Sequence, residues 1–401
     1  MTEARVKTEI SEWIVRAALA GTNEVEIIAG ICQRLTSAGV SLVRSSVATN
    51  LLDPTHDARG VRWTRDEGAL EEVFPRRDDT QPNEEWTRSP FYFLVESRQP
   101  SLRRRLDATY RRGEFPMLDG FRDQGVTDYL AFAERVSESM RLGEGEGLVA
   151  SWTTDAPAGF SDAQVEMLAG IMPALTLAFM LRTTNRAART LITTYLGSDA
   201  AERVLAGNIV RGRAQAIRAV VWCSDLVGFT RISETVSPDV VLALLNDYAE
   251  AQVEEIEAQC GHVLKFMGDG ILAIFPDNDT TQACRHALDA AANLRGRIAA
   301  LNERRRAAGL PVTDTHVALH VGELLYGNLG SPRRLDFTVL GPAVNEAARI
   351  ESLCGSLEQS VIVSWAFAEA AGEARSLLVS LGRYAMKGIA RPQELFTLDL
   401  G

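Results

Sequence analysis

IRAVVWCSDLVGFT, residues 217–230, is the stretch on which the fold turns. Residues 219–223 form an uninterrupted apolar run, the pattern of a strand buried on both faces. The run leads into Asp225, and a carboxylate at the end of a buried strand is costly unless a cation compensates it. Gly228, Phe229 and Thr230 then turn the chain into a helix whose free N–H groups suit an anion.

A second carboxylate, Asp269, follows 44 residues later in GHVLKFMGDGILAIF, residues 261–275. Two alternating segments, 262–266 and 271–275, flank the short turn 267–270, so a hairpin tip presents Asp269. Two carboxylates brought together without a basic neighbour repel each other, which favours one or two divalent cations. Hard oxygen ligands suit Mg²⁺ or Mn²⁺ bridging a triphosphate.

Around these stretches the C-terminal half is well punctuated. Ser237 and Pro238 open a helix that Gly261 closes, with Val241, Leu244, Leu245, Tyr248 and Ile256 as its core positions. A second long helix is expected over 281–308, strands over 315–321 and 337–340, and a helix over 342–354. On that last helix Asn345 and Arg349 are spaced i,i+4 and share a face. The turn-prone YAMKG (384–388) precedes a closing strand at 394–398. The β-α-β-β-α-β succession predicts an α+β, ferredoxin-like domain with extra strands.

Over residues 215–401 the chain resembles class III adenylyl cyclases of bacterial type. The resemblance rests on D-L-x-G-F-T, K-F-x-G-D-G, F-T-V-x-G-x-x-V-N-x-A-A-R and a late K-G, in that order and spacing. It implies conversion of ATP to 3′,5′-cyclic AMP and pyrophosphate by attack of the ribose 3′-hydroxyl on the α-phosphate. It also implies two metal ions per site, Mg²⁺ or Mn²⁺, on Asp225 and Asp269. Lys265 and Thr338 become the purine-selecting pair, and Asn345 and Arg349 the transition-state pair. Arg333 and Lys387 become phosphate contacts, with the choice between Arg333 and Arg334 open, and Phe229 and Thr230 line the substrate turn. The resemblance further implies a homodimer, one chain supplying Asp225, Asp269 and Arg333 and its partner the other groups. Lys265 argues against a guanylyl cyclase, because adenine N1 needs a donor where guanine N1–H needs an acceptor. A regulator that has lost catalysis is a further reading, against which all of these residues are present.

The first half reads as a helical stretch over 10–35, strand-like runs at 40–51 and 60–63, and a polar, turn-rich stretch over 76–90. Two β-rich runs follow at 127–136 and 147–153, joined by a segment ending GEGEG (143–147). No GK[ST] and no helix follow that glycine cluster, so it reads as a hairpin connection rather than a phosphate loop. Phe160, Ser161 and Asp162 cap a helix running toward Leu181. This order resembles a GAF-like sensor domain over residues 1–185, which implies an unknown small-molecule or protein signal. Residues 186–214 resemble the coupling helix and transducer of such cyclases, with Leu191, Tyr195 and Leu196 as a narrow seam. A plain linker is the alternative.

A chain of 401 residues predicts two domains, and 46% hydrophobic with 24% charged residues predicts folded, soluble ones. A net charge of −11 disfavours nucleic acid as a partner. The basic runs Arg103–Arg105 and Arg304–Arg306 are expected to be solvated helix faces. The start, MTEARVKTEI, carries no apolar leader, and the apolar run 167–181, 15 residues with Pro173 inside, suits a buried helix better than a membrane span. Five cysteines without a Cys-x-x-Cys spacing read as free buried thiols, which points to the cytoplasm. Cys223 reads as strand packing, and His316 and His320 as structural, because no third well-spaced ligand accompanies them.

Overall fold

In the computed structural model the chain divides between Leu191 and Ile192. The structure describes residues 3–76, 84–140, 147–276, 279–387, 389 and 391–398. Parts of the 76–90 stretch, GEGEG and Gly388 therefore lie outside the described residues.

The first unit opens with two helices, α1 (Glu3–Leu19) and α2 (Glu24–Ser37), where one stretch was expected. Gly21, at φ 80°, ends the first, and Asn23 caps the second by accepting from the Glu26 N–H at 2.8 Å. Strands β1 (Leu42–Asn50), β2 (His56–Thr64) and β3 (Gly68–Pro75) follow, then α3 (Glu84–Thr87), α4 (Pro90–Ser97), β4 (Ser101–Arg105), α5 (Pro116–Asp123), β5 (Asp128–Arg135) and β6 (Gly147–Thr154). The strands form one antiparallel sheet in the order β3-β2-β1-β6-β5-β4. One apolar cluster joins α1 and α2 to this sheet through Ile14, Ile28, Leu130 and Trp152; another gathers Leu94 of α4, Leu118 of α5 and Tyr129 of β5.

Arg103, Arg104 and Arg105 are not a solvated helix face. They lie on β4, where Arg103 and Arg105 pair with the buried Asp128 and Arg104 pairs with Glu114. Asp128 also accepts from the Phe160 N–H at 3.0 Å, so this network ties the sheet edge to the start of the next helix. That helix, α6 (Asp162–Leu196), runs well past the expected end at Leu181. Its start is a capping box: Ser161 Oγ accepts from the Gln164 N–H at 3.2 Å and Gln164 Oε1 accepts from the Ser161 N–H at 3.0 Å. Among the described residues it is the one helix long and apolar enough to cross a membrane, and half of its most apolar window is buried in protein.

The second unit continues with α7 (Ser198–Leu205), β7 (Ala214–Leu226), α8 (Phe229–Thr235), α9 (Pro238–Ala258), β8 (His262–Met267), β9 (Gly270–Pro276) and α10 (Thr280–Ala307). It closes with β10 (Thr315–Ser331), β11 (Arg334–Leu340), α11 (Pro342–Glu351), α12 (Cys354–Leu357), β12 (Val361–Ser364), α13 (Trp365–Ala370), β13 (Leu378–Tyr384) and β14 (Gln393–Leu398). The eight-stranded sheet has the order β13-β14-β12-β10-β7-β9-β8, with β11 paired to β10. Its β7-α-β8-β9-α10-β10 core has the expected succession; β12 and β13 were not anticipated. Helices α9 and α10 cover one face through Tyr248, Leu288 and Leu294 against Trp222, Phe275 and Leu319. Within α10, Arg305 is buried, not solvated: it pairs with Asp247 and donates to the Pro311 carbonyl at 2.8 Å. Cys260 also departs from expectation, exposed at φ 59° where α9 ends, while the other four cysteines are buried.

β10 is longer than the expected 315–321 because Gly327 does not break it. A side chain there would lie 2.2 Å from the Arg213 carbonyl oxygen, so only glycine permits this cross-strand approach. The extra length forms an arm with β11, and the arm curls. Lys265 is level with Leu272 and, through Cys223, with Ala318, whereas Asp336 is level with Leu329. Along a straight strand those levels would be ~36 Å apart. Lys265 and Asp336 nevertheless touch, and Phe337 and Val339 pack in one cluster with Leu264, Leu272 and Val221.

Candidate active site

β7 delivers Asp225 to its end, and the turn beyond is held on both sides. The Val227 N–H donates to the Asp314 carbonyl at 2.9 Å, and its carbonyl accepts from Thr313 Oγ1 at 2.6 Å. Thr313 is fixed in turn by bonds from its N–H to the Tyr248 hydroxyl (2.8 Å) and from Asn302 Nδ2 to its carbonyl (2.8 Å). Next to Asp225, Ser224 Oγ donates to Gln252 Oε1 at 2.6 Å. The carboxylate thus stands on a turn locked to α9 and α10 by buried hydrogen bonds. Gly228, at φ 65°, then starts α8, with Phe229 packing partly into the core and Thr230 exposed.

The β8–β9 hairpin brings Asp269 to Asp225, close enough for the two carboxyl groups to hydrogen-bond. Burial first, then the charge of Asp269 and that hydrogen bond, push the Asp225 pKa up to about 6. A third acid went unnoticed in the sequence. Glu351, half-buried at the end of α11, has its pKa raised to about 7 by burial first and then by the charges of Asp225 and Asp269. Its sequence signal is a carboxylate in the last turn of a helix, where the helix dipole disfavours it. The Cys223 thiol is pushed up to about 12, mainly by burial, in keeping with strand packing.

Of the two residues expected to select the purine, Lys265 reaches the curled arm from β8, and Thr338 lies on the arm itself. Lys265 Nζ donates to Asp336 Oδ2 at 2.6 Å, and Thr338, two residues along β11, is buried. Asn345 and Arg349, expected as the transition-state pair, lie on another face of α11. Glu351, which faces the aspartates, is about 200° around α11 from Arg349 and about 240° from Asn345. Asn345 is exposed and Arg349 half-buried, and neither side chain has a polar partner among the described residues. Arg333 and Arg334 are exposed in the β10–β11 turn, their N–H groups donating to Ser331 Oγ at 3.4 and 3.1 Å. Lys387 is exposed beyond β13. His320 Nδ1 lies 2.9 Å from Ser364 Oγ and 3.8 Å from Glu346, a buried structural position.

Among the described residues no three His, Cys, Asp or Glu side chains cluster as a complete metal cage. Two bare carboxylates are nonetheless the usual protein share of a Mg²⁺-type site, where substrate phosphates and water supply the remaining oxygens. Burial first, and then the charge of Asp269, raise the Asp225 pKa, and a cation held there would offset both, so the donor set fits.

Comparison with known proteins places the second unit in context. Residues 214–399 match the family described as the adenylate and guanylate cyclase catalytic domain. A 145-residue stretch is 36% identical to adenylate cyclase 1 of Rhizobium meliloti, covering 36% of this chain and 22% of that protein. A 161-residue stretch is 32% identical to the adenylate cyclase of Anabaena cylindrica, covering 39% and 31%. The chain thus spans only 22% and 31% of the length of these relatives. The solved adenylyl cyclase CyaB from P. aeruginosa aligns over 47% of this chain and 100% of its own, at 25% identity and a TM-score of 0.43.

Proposed function

With residues 214–399 belonging to the adenylate and guanylate cyclase catalytic domain family, we propose that this protein is an adenylyl cyclase converting ATP to 3′,5′-cyclic AMP and pyrophosphate. The observation that carries the reading is the Asp225–Asp269 carboxylate pair, forced together on a locked strand end. Asp225 and Asp269 would hold two Mg²⁺ or Mn²⁺ ions per site, which would supply Lewis acidity to the ribose 3′-hydroxyl and positive charge to the pyrophosphate leaving group. Lys265 donates to adenine N1, and the Thr338 hydroxyl accepts from the exocyclic amine. Asn345 holds the ribose and Arg349 stabilises charge on the α-phosphate. Arg333 and Lys387 contact phosphates, and the N–H groups beginning at Phe229 and Thr230 face the triphosphate.

The site is shared between two copies of the chain. Support comes from α11: the face bearing Asn345 and Arg349 is turned away from the chain's own aspartates, which Glu351 faces instead. A second copy supplies the missing half, and symmetry makes two equivalent sites. Phe266 and Met267, 59% and 43% exposed beside Asp269, and Leu329 and Leu335 on the arm are apolar surface that a second copy would cover.

Residues 1–185 form a GAF-like regulatory domain and residues 186–214 a coupling helix and transducer feeding the catalytic domain, 215–401. The six-stranded antiparallel sheet, with an apolar cluster holding helices on each face, supports the first assignment. The continuity of α6 to Leu196 supports the second. The signal is a small molecule or a protein. Five free cysteines, and the buried face of α6, support a cytoplasmic protein in which α6 is a core helix.

Purified full-length protein incubated with ATP and Mn²⁺ tests the proposal. Cyclic AMP and pyrophosphate in equal amounts are expected. Cyclic GMP from GTP in preference would make it a guanylyl cyclase, and no turnover of either nucleotide by folded protein would make it a binding regulator.

A further inference from the structure

Arg44, half-buried on β1, makes no side-chain hydrogen bond or ion pair among the described residues. Its guanidinium carbon lies 5.5 Å from the centre of the Phe121 ring on α5, and a ring face leaves its five N–H donors without an acceptor atom. We propose that Arg44 and Tyr129 form a binding site for a small organic monocarboxylate, on the face of the first unit's sheet beneath α5. The proposal rests on the regulatory reading of this unit only for the ligand's effect on turnover.

Strand register puts the two side chains in one row. Arg44 on β1 is level with Thr153 on β6, and Thr153 is level with Tyr129 on β5. Side chains level across antiparallel strands share a face, and two strand spacings set the outer α-carbons ~10 Å apart. This is the face under α4 and α5, because Tyr129 clusters with Leu94 and Leu118, whereas Leu130 and Trp152 serve α1 and α2 on the other. Phe121 roofs the row, its ring centre 6.3 Å from that of Tyr129 as well as beside Arg44.

Tyr129 is a second, independent unsatisfied group. It is wholly buried, and its hydroxyl makes no hydrogen bond. The Ser151 hydroxyl, diagonal to it on β6, is near enough to act on it but not aligned for a bond. Arg44 and Tyr129 lie within each other's electrostatic reach.

Burial, the largest influence on Arg44, lowers its pKa, as expected for a cation drawn out of water without a counterion. Glu72 and Glu67 act on it at a distance, but both carboxylates are bonded to Arg62, at 2.8 and 3.2 Å. Stability does not call for this arrangement, since apolar side chains of similar shape would leave no donor unmet. A carboxylate satisfies both groups: the guanidinium fork takes its two oxygens, and the Tyr129 hydroxyl donates to one of them. One cation balances one negative charge, which favours a monocarboxylate over a phosphate. Phe121 and the cluster around Leu118 give its tail apolar surface.

Thermal melting of the full chain tests the site, with acetate, butyrate and benzoate as probes and sodium chloride of equal ionic strength as control. At least one carboxylate is expected to raise the melting temperature by about 2–4 °C near saturation, and inorganic phosphate to do no more than chloride. Arg44→Met should abolish that response, and Tyr129→Phe should reduce it. Without any probe, Arg44→Met should melt about 2–4 °C above the unmutated protein, because it removes an unpaired, half-buried cation. A lower melting temperature for Arg44→Met would make the guanidinium structural and overturn the site. So would a carboxylate response no larger than that of chloride, or one that Arg44→Met retains. Phosphate matching the carboxylates would overturn the monocarboxylate assignment. Cyclic AMP production with the effective carboxylate separates the two readings: an unchanged rate beside a clear melting shift keeps the site and removes its part in regulation.

Discussion

A methyl group placed on the α-carbon of Gly270 would lie 3.3 Å from Asp225 Oδ1 and 2.5 Å from the Ser224 carbonyl oxygen. The second contact is with backbone, so no rotamer change relieves it. Gly270→Ala is therefore expected to push the β8–β9 hairpin away from β7, at about 1–3 kcal/mol of strain. Misplacing Asp269 against Asp225 by ~1 Å should cost on the order of a hundredfold in cyclic AMP production. Thermal melting and a turnover assay check both; an unchanged rate would mean that the separation of the two carboxylates is unimportant.

Removing either carboxylate acts on the chemistry rather than the fold. Asp225→Ala and Asp269→Ala should each abolish activity in folded protein, a loss on the order of a thousandfold or more. Near-normal cyclic AMP production with Mg²⁺ by either variant would remove that residue from the metal site.

The acids also make a pH signature. Folded Asp225 and Glu351 have pKa values raised to about 6 and about 7, from 3.8 and 4.5. Between those limits the folded chain binds more protons than the unfolded one, so their stabilising contribution is full at low pH and is lost as pH rises through 6 to 7. With a chelator present, Asp225→Asn should gain stability relative to the unmutated protein from pH 5 to pH 8. Mn²⁺ at pH 8 should raise the melting temperature of the unmutated protein and leave that variant nearly unmoved. A stability difference independent of pH would contradict the crowding of these carboxylates.

Much of the second unit was legible in residues 217–230 and 261–275, because a buried strand ending in Asp and a Gly-Asp-Gly turn each have a local cause. The strand ends, the hairpin and the positions of Asp225, Asp269 and Lys265 follow that reading. Glu351 and Asp336 escaped it because their settings come from tertiary neighbours. Glu351 matters only once α11 packs beside β7, and Asp336 only once the arm curls back over β8. The arginines of β4 misled for the same reason, since Asp128, more than twenty residues away, makes a charged strand affordable. Residues 10–35 lost their break because a Gly-Thr-Asn step can sit inside a helical pattern until its φ angles are known.

Complementation tests most directly whether one active site is built from two chains. Asp225→Ala and Asn345→Ala proteins, each inactive alone, are mixed under conditions that exchange subunits, and cyclic AMP production is measured. In a mixed dimer both defects fall in one composite site and the other site is intact. With random pairing half the dimers are mixed, each with one working site of two, so activity should return to about a quarter of the unmutated level. If each site lies within a single chain, every site carries a defect. Persistent inactivity, with mixed dimers demonstrated by mass spectrometry, would contradict the shared site.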